Sequence, residues 1–381
     1  MIDANQRAMD KIAVLATRGL DLVSFWRESA DVIATAVPFF AAPCWYTLDP
    51  ASLLVTSHFN EHMKVLPPER LAGEYFGDDV NKLVDVARSE TGVATLHEAT
   101  GGQPANSPRW HANMMLGGDQ EMIGCLRSTS GEVWGALGLY REPDRPLFNG
   151  AEVAFVRSVA PQLADGARRG LLLGEAIEPD RPDAPGLIVV NDRWEIESAT
   201  PGVERWLAEL TDVDLATGQL PASILAVAGR ALSVATGRHQ PGEIAVSRVR
   251  SRSGGWLMLH GTSLISSTSR RVAVIVEPAH PARITPLLMA AYGLTEREQD
   301  VTRLVLQGDS TTEIAEKLII SAGTVQQHLT SIFEKTGVRS RRDLVGKVFF
   351  MHYEPRVRDN ENRAKQGKPL RGGPFESTDA G

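Results

Sequence analysis

Three helix starts written into one short stretch limit what this chain can fold into. In residues 294–350, Thr295 is followed three positions later by Glu298, Ser310 by Glu313 and Ser340 by Asp343. Each hydroxyl can accept from the first free N–H groups of a helix. The acid reaches back toward the cap and meets the positive end of the helix dipole. These spacings agree with the apolar periodicity, so the stretch predicts four short amphipathic helices. The second, over residues 311–318, should bury Ile314, Ala315 and Leu318. After a turn through Ile319 and Ile320, Ser321 caps a helix that should bury Val325, Leu329, Ile332 and Phe333. Two short helices joined by a tight turn form the helix-turn-helix layout, in which the second helix enters the major groove of DNA.

On a 3.6-residue wheel the opposite face of that second helix carries Gly323, Gln326, Gln327 and Thr330. Gln can pair bidentately with adenine and Thr can touch a thymine methyl, so Gln326, Gln327 and Thr330 are the candidate base-reading residues. The run LTxRExxV, the segment TxxEIAxKL, the segment IS-x-GTV-x-x-HL and the ending KxGVRSRxxLV resemble the LuxR-type helix-turn-helix of bacterial transcription regulators over about fifty-five residues without a gap. The resemblance implies that Thr324 and His328 fix the recognition helix against phosphate and core, and that the last helix, 341–350, pairs with a second subunit. A basic residue is usual in that family where Gln326 stands. Its absence here predicts a weaker sequence-independent attraction and a lower salt dependence.

Charge is polarised within the stretch. Residues 295–316 hold two basic residues against six acids, and residues 317–353 hold six against two. The recognition half is the positive half, which makes Lys335, Arg339 and Arg341, with Arg342, candidates for phosphate contact beside the hydroxyls of Ser321 and Thr324. Solvated helix ends would show the same basic residues.

At 381 residues and 43% apolar, the chain has material for two or three cores. The net charge of −7 argues against a general coat for nucleic acid and for local contact through one module. Cys44 and Cys125 are too few for a disulfide scaffold, and no secretory signal stands at the start, so a cytoplasmic location is expected. The longest uncharged run, residues 32–48, contains Pro38 and Pro43 and falls short of the roughly 20 apolar residues a membrane span needs. No membrane partner is expected.

The remaining chain reads as an α+β multidomain assembly. A long amphipathic helix over residues 6–37 precedes a hairpin of 44–48 and 52–56. Helical fragments follow at 68–75 and 80–88, then a Gly-, Pro-, Asn- and Ser-rich surface loop or lid over 100–118. Strands at 122–127 and 133–140 turn at Ser130-Gly131, and a helix over 149–174 closes the unit. The run GEVWGALGLYREPDRPLFNGAEVAFVRSVAPQLADGA resembles the last strands and final helix of a GAF domain. After a Pro-rich acidic linker at 178–186 come strands at 187–190 and 194–198, helices at 202–210 and 222–235, and strands at 243–250, 256–263 and 271–277. This order resembles a PAS domain and carries no cofactor-attachment signature, so no cofactor is expected. The expected organisation is a GAF-like α+β sensor and dimerisation domain at 1–177 and a PAS-like α+β domain at 186–278. Residues 278–286 form a stiff connector. An all-α four-helix reader occupies 287–353, with a disordered tail at 354–381.

Other chemistry is weighed against ordinary packing. His58, Glu61 and His62 spell H-x-x-E-H, a zinc-peptidase pattern. No third ligand can be pointed to, and a solvated loop or helix start accounts for the same residues, so no metal or catalytic site is expected. Gly101-Gly102 beside His97 and Asn106 could cradle an anion or simply be a flexible loop. Trp45, Tyr75, Trp110 and Trp134, with Cys125, could line a ligand cavity or pack a core. The expected function is a homodimeric DNA-binding transcription regulator acting on double-stranded DNA and controlled by a small-molecule effector. Two rivals stay open: a zinc-dependent hydrolase, and an interaction protein whose helix-turn-helix has lost DNA binding.

Overall fold

The computed structural model describes residues 4–61, 67–173, 184–210, 219–264, 270–352, 361 and 363–367. The chain opens with α1 (Ala4–Leu15) and α2 (Leu22–Ala34), where the periodicity predicts one helix. Gly19 takes φ +68°, a conformation that ends a helix at little cost in a residue without Cβ, and Asp21 starts the next by accepting from the Ser24 N–H at 3.0 Å. The apolar stripe runs across this break because both helices pack on the same later helix, α7 (Gly150–Leu172).

Between them lie β1 (Cys44–Leu48), β2 (Val55–Phe59), α3 (Pro68–Phe76), α4 (Leu83–Arg88), β3 (Val93–Thr95), α5 (Leu96–Ala99), α6 (Pro108–Met114), β4 (Gln120–Arg127) and β5 (Val133–Arg141). The hairpin is present, but its second strand begins at Val55 because Leu53 turns at φ +57°. The segment expected to be a loop or lid at 100–118 instead contains a 3-10 turn, Pro104–Asn106, and α6. Ser107 caps α6 by accepting from the Trp110 N–H, and the helix is held by the burial of Arg109 and Asn113. The five strands form one sheet in the order β2-β1-β5-β4-β3, joined by antiparallel pairs. Every residue of β1 and β5 is buried. Successive strand residues point to opposite faces, so both faces of the sheet centre are covered.

A second sheet is built from β6 (Gly186–Val190), β7 (Ile196–Ala199), β8 (Val246–Arg250), β9 (Trp256–Leu264) and β10 (Arg271–Pro278), with α8 (Val203–Ala208) and α9 (Ala222–Ala235) between β7 and β8. Its order, β7-β6-β10-β9-β8, repeats that of the first sheet when the strands are counted from one in each. Both sheets lie in one compact unit of residues 1–173, 186–252 and 257–277, with an apolar core continuous from Cys44 to Val276. The element that joins them is α9, buried at every position from Ala222 to Ser233. It packs against α3 and β2 as well as β8. A helix that is mainly apolar and buried all round has no solvent face to lose, which suits it to a place between two modules. Ion pairs cross the same seam: Arg248 grips Asp49, with Nε 3.0 Å from Oδ2, and Glu243 is shared by Arg88 and the buried Arg230.

The second unit, 174–185, 253–256 and 278–381, holds α10 (Pro281–Ala291), α11 (Glu296–Gln307), α12 (Thr311–Leu318), α13 (Ala322–Thr336) and α14 (Arg341–His352). The stretch expected to be a stiff connector is thus the first half of α10. Pro281 begins the helix, where its missing N–H costs nothing. Burial of Ile284, Leu287, Leu288 and Met289 carries it past Pro286. The linker at 178–186 and the tail at 354–381 fall largely outside the described residues.

Candidate nucleic-acid interface

The expected caps of the C-terminal helices are made. Thr295 and Ser310 each accept from the N–H three residues on, at 3.3 Å, while Glu298 and Glu313 accept from the cap N–H groups in return. Ser340 accepts from the Asp343 N–H at 3.0 Å. Ser321 caps α13, accepting from the Thr324 N–H at 3.0 Å, with the two hydroxyls 2.8 Å apart. The turn between α12 and α13 passes through Ile319 at φ +55°, a left-handed conformation rare for a β-branched residue, with the side chain 91% exposed.

The core beneath consists of Met289, Leu294, Val301, Val305, Ile314, Ala315, Val325, Leu329, Ile332 and Leu344. Leu318 and Phe333, expected to be buried, are half-buried and pack against its edge. Burial of Val325, Leu329 and Ile332 fixes the rotation of α13 about its axis. It leaves Gly323, Gln326, Gln327 and Thr330 exposed on one stripe. Glu334, one turn further on, is exposed as well and ends the neutral surface with a negative charge. Thr330 donates its hydroxyl hydrogen to the Gln326 carbonyl at 3.0 Å, which leaves its methyl and oxygen lone pairs outward. The Gln326 amide is within 3.4 Å of the Thr311 hydroxyl at the start of α12, whereas the Gln327 side chain makes no hydrogen bond among the described residues. His328 is half-buried.

The basic residues divide into two kinds. Lys335 donates to the buried Glu298, and Arg341 binds the Asp309 carbonyl and reaches the Thr311 hydroxyl at 3.4 Å, so both hold helices together. Arg339 and Arg342 are exposed and make no ion pair among the described residues. Glu298 is the residue whose importance the sequence understated. Besides capping α11, it accepts from Ser331 and Lys335 of α13, both at 2.6 Å. Burial alone would raise its pKa, but hydrogen bonds from Lys335, Ser331 and the Thr295 N–H outweigh it and hold the carboxyl below its ordinary range. Its place in the capping box was the only visible signal. The bonds to α13 depend on tertiary packing.

The other candidate groups are placed differently. His58 lies on strand β2, half-buried beside Tyr46, with Nε2 sealed from solvent and unpartnered. It is neither in a solvated loop nor at a helix start, so the helical spacing a zinc-peptidase pattern relies on is not present there. Glu61 pairs with Arg27 at 2.5 Å, and His62 lies outside the described residues, among which no three His, Cys, Asp or Glu side chains gather to hold a metal. The Gly101 and Gly102 N–H groups donate to Glu98 and His97 within their own turn, so they are not available to cradle an anion. Trp45 stacks on Trp26, Tyr75 binds the Val55 N–H, and Trp110 donates to Asp119. Cys125 and Trp134 are buried. A cavity opens elsewhere in the first module, and none of these five lines it. No helix among the described residues is long and apolar enough to cross a membrane.

A capped pair of helices with a tight turn, the second exposing a neutral polar stripe, defines a helix-turn-helix module of the DNA-reading kind. Residues 293–348 match the family model of bacterial regulatory proteins of the luxR family. The chain is 40% identical over 58 residues to the spore germination protein GerE of Bacillus subtilis, covering 15% of this chain and 78% of that protein. It is 50% identical over 55 residues to an HTH-type transcriptional regulator of Mycobacterium tuberculosis, covering 14% of this chain and only 6% of that protein's length. Among solved structures, VqmA of Vibrio cholerae aligns over 44% of this chain and 83% of that chain at 16% identity, with a TM-score of 0.20 that carries no structural argument. The chain belongs to the LuxR family of bacterial regulatory proteins.

Proposed function

We propose that this chain is a transcription regulator that reads double-stranded DNA with α13 as a homodimer, and that its first compact unit controls the reader in response to a small molecule. The observation that carries the reading is the exposed stripe of Gly323, Gln326, Gln327 and Thr330, held outward by the burial of Val325, Leu329 and Ile332. Gln326, Gln327 and Thr330 are assigned to base edges. Phosphate contact is assigned first to Arg339, then to Ser321 and Thr324 at the positive end of α13, with Lys335 and Arg341 contributing while anchored. A single reader of this size contacts few base pairs, and two-fold pairing doubles the site. α14 is the proposed pairing helix in the reader, and α1, α2 and α7 are proposed for the sensor end. The two sheets of identical order support reading 1–177 as a GAF-like module and 186–278 as a PAS-like module, ahead of a reader at 287–353.

The test is selection of duplexes from a randomised pool with the full-length protein at low salt. The expected result is enrichment of a two-fold symmetric sequence, whose preferred bases change in Gln327→Ala. A pool returned at its input composition would overturn the reading.

A further inference from the structure

In the first module, a cavity of about 230 Å³ is walled by Phe40, Ala42, Cys44, Arg70, Leu116 and Tyr140. It is below the roughly 300 Å³ at which pockets for drug-sized ligands begin, and above the roughly 150 Å³ that can hold a benzene ring. Its lining is mainly apolar, with Asn60, Asn113 and the Tyr140 hydroxyl as its neutral polar groups and Arg70 as its one charged side chain. Arg70 has a side chain only 10% exposed, donates through Nη1 to Asn113, and reaches Glu121 at 2.9 Å and the Tyr140 hydroxyl at 3.4 Å through Nη2. A guanidinium has five N–H donors, so Nε and one hydrogen of Nη1 have no acceptor among the described residues. On a side chain that lines the cavity, these donors are open to an acceptor placed there.

Charge around the cavity narrows what could fill them. Arg70 and Arg109 are matched by Glu121 and Glu74: Arg109 binds Glu74 at 2.6 Å and shares Glu121 with Arg70. The other titratable groups nearby are neutral at pH 7, since burial pushes the Cys44 thiol and the Tyr140 hydroxyl up and pushes His58 down to about 4. The buried set is already balanced. An added carboxylate would be an uncompensated charge beside a set that is already balanced, and an added cation would face Arg70.

We propose that this cavity binds a small, uncharged, mainly apolar molecule with one hydrogen-bond acceptor, such as a ketone, ester or amide carbonyl, seated on the unfilled donors of Arg70. This deepens the proposed control by a small molecule and rests on that reading only for its consequence, since occupancy can be measured with no DNA present.

The experiment is saturation-transfer NMR on the full-length protein with acetophenone, ethylbenzene and benzoate as probes. Acetophenone should bind about tenfold more tightly than either of the others, a margin of about 1.4 kcal/mol. Its signal should be lost in Ala42→Trp, which fills the cavity, and in Leu116→Trp, which narrows it from a half-exposed position and carries the test if the first variant folds poorly. Benzoate or ethylbenzene binding as well as acetophenone, no binding of any probe, or undiminished acetophenone binding in both variants would overturn the proposal. None of these results bears on whether α13 reads DNA, and loss of DNA selection would leave the cavity result standing.

Discussion

Lys335 Nζ lies 2.6 Å from Oε2 of Glu298, joining α13 to α11 through a carboxylate that is itself 6% exposed. Removing the lysine leaves that carboxylate buried with one partner fewer. Breaking a wholly buried pair costs about 3–5 kcal/mol. Here the lysine is 35% exposed, so Lys335→Ala should cost less, about 1–3 kcal/mol of reader stability. Faster hydrogen exchange in α11 and α13 would register it, and adding Glu298→Gln should restore part of the loss. Unchanged exchange would mean that the pair holds nothing together.

The same carboxylate sets a pH dependence. Its folded pKa is depressed, so the stabilisation is complete above the unfolded carboxylate value, about 4.3, and is lost as pH falls through the lower folded value. Exchange in α11 and α13 should therefore accelerate below about pH 4, and Glu298→Gln should flatten that part of the profile. A profile identical in the two proteins would refute the assignment.

His58 gives the first unit a separate acid sensitivity. Burial, with Arg70 adding to it, lowers its folded pKa to about 4 against an ordinary value near 6.5. The unfolded chain takes up the proton first as pH falls, so stability is level above about 6.5 and declines between there and about 4, by on the order of 3 kcal/mol in all. Urea unfolding followed by tryptophan fluorescence should show this slope, and His58→Phe should remove it.

Gly229 tests whether the two sheets unfold together. A Cβ placed there would lie 2.5 Å from the Ala72 carbonyl oxygen of α3, closer than such atoms come. Gly229→Ala should force α9 away from α3, cost about 1–3 kcal/mol as an overpacked contact does, and broaden or split the unfolding transition. A single transition at the wild-type midpoint would show that this contact does not couple the modules.

What could be read in advance followed the range of the interactions. Caps at Thr295, Ser310 and Ser321 are local, and so are the 3.6-residue stripes they begin, so the reader's helices were visible in the sequence. The bounds of α9 were visible for the same reason: Pro221 precedes it, and its composition is mainly apolar and helix-forming through to Ala235. The break at Gly19 was hidden because α1 and α2 bury one continuous stripe against α7. α6 was hidden because its polar composition resembles a loop until Arg109 finds Glu74 and Glu121. The cavity could not be inferred from Trp45 and Tyr75, since both were already used in stacking and backbone contact. Arg70, the residue that gives it character, carries no local signature.

Arg339 separates affinity from stability in the reader. It is exposed and makes no ion pair among the described residues, so Arg339→Ala removes charge without opening a core, and stability should stay within about 0.5 kcal/mol of wild type. If it meets a phosphate, every duplex should be bound more weakly by a similar factor, and the slope of log affinity against log salt should fall by about 0.9. Gln327→Ala should instead reorder the preferred sequences while keeping the slope, because it removes a base contact and no charge. Lys335→Ala would weaken binding as well, but together with faster exchange in α11, which marks its loss as structural. A salt slope unchanged in Arg339→Ala would place that residue away from the backbone and shift the phosphate assignment to Arg342, the other exposed arginine beside it.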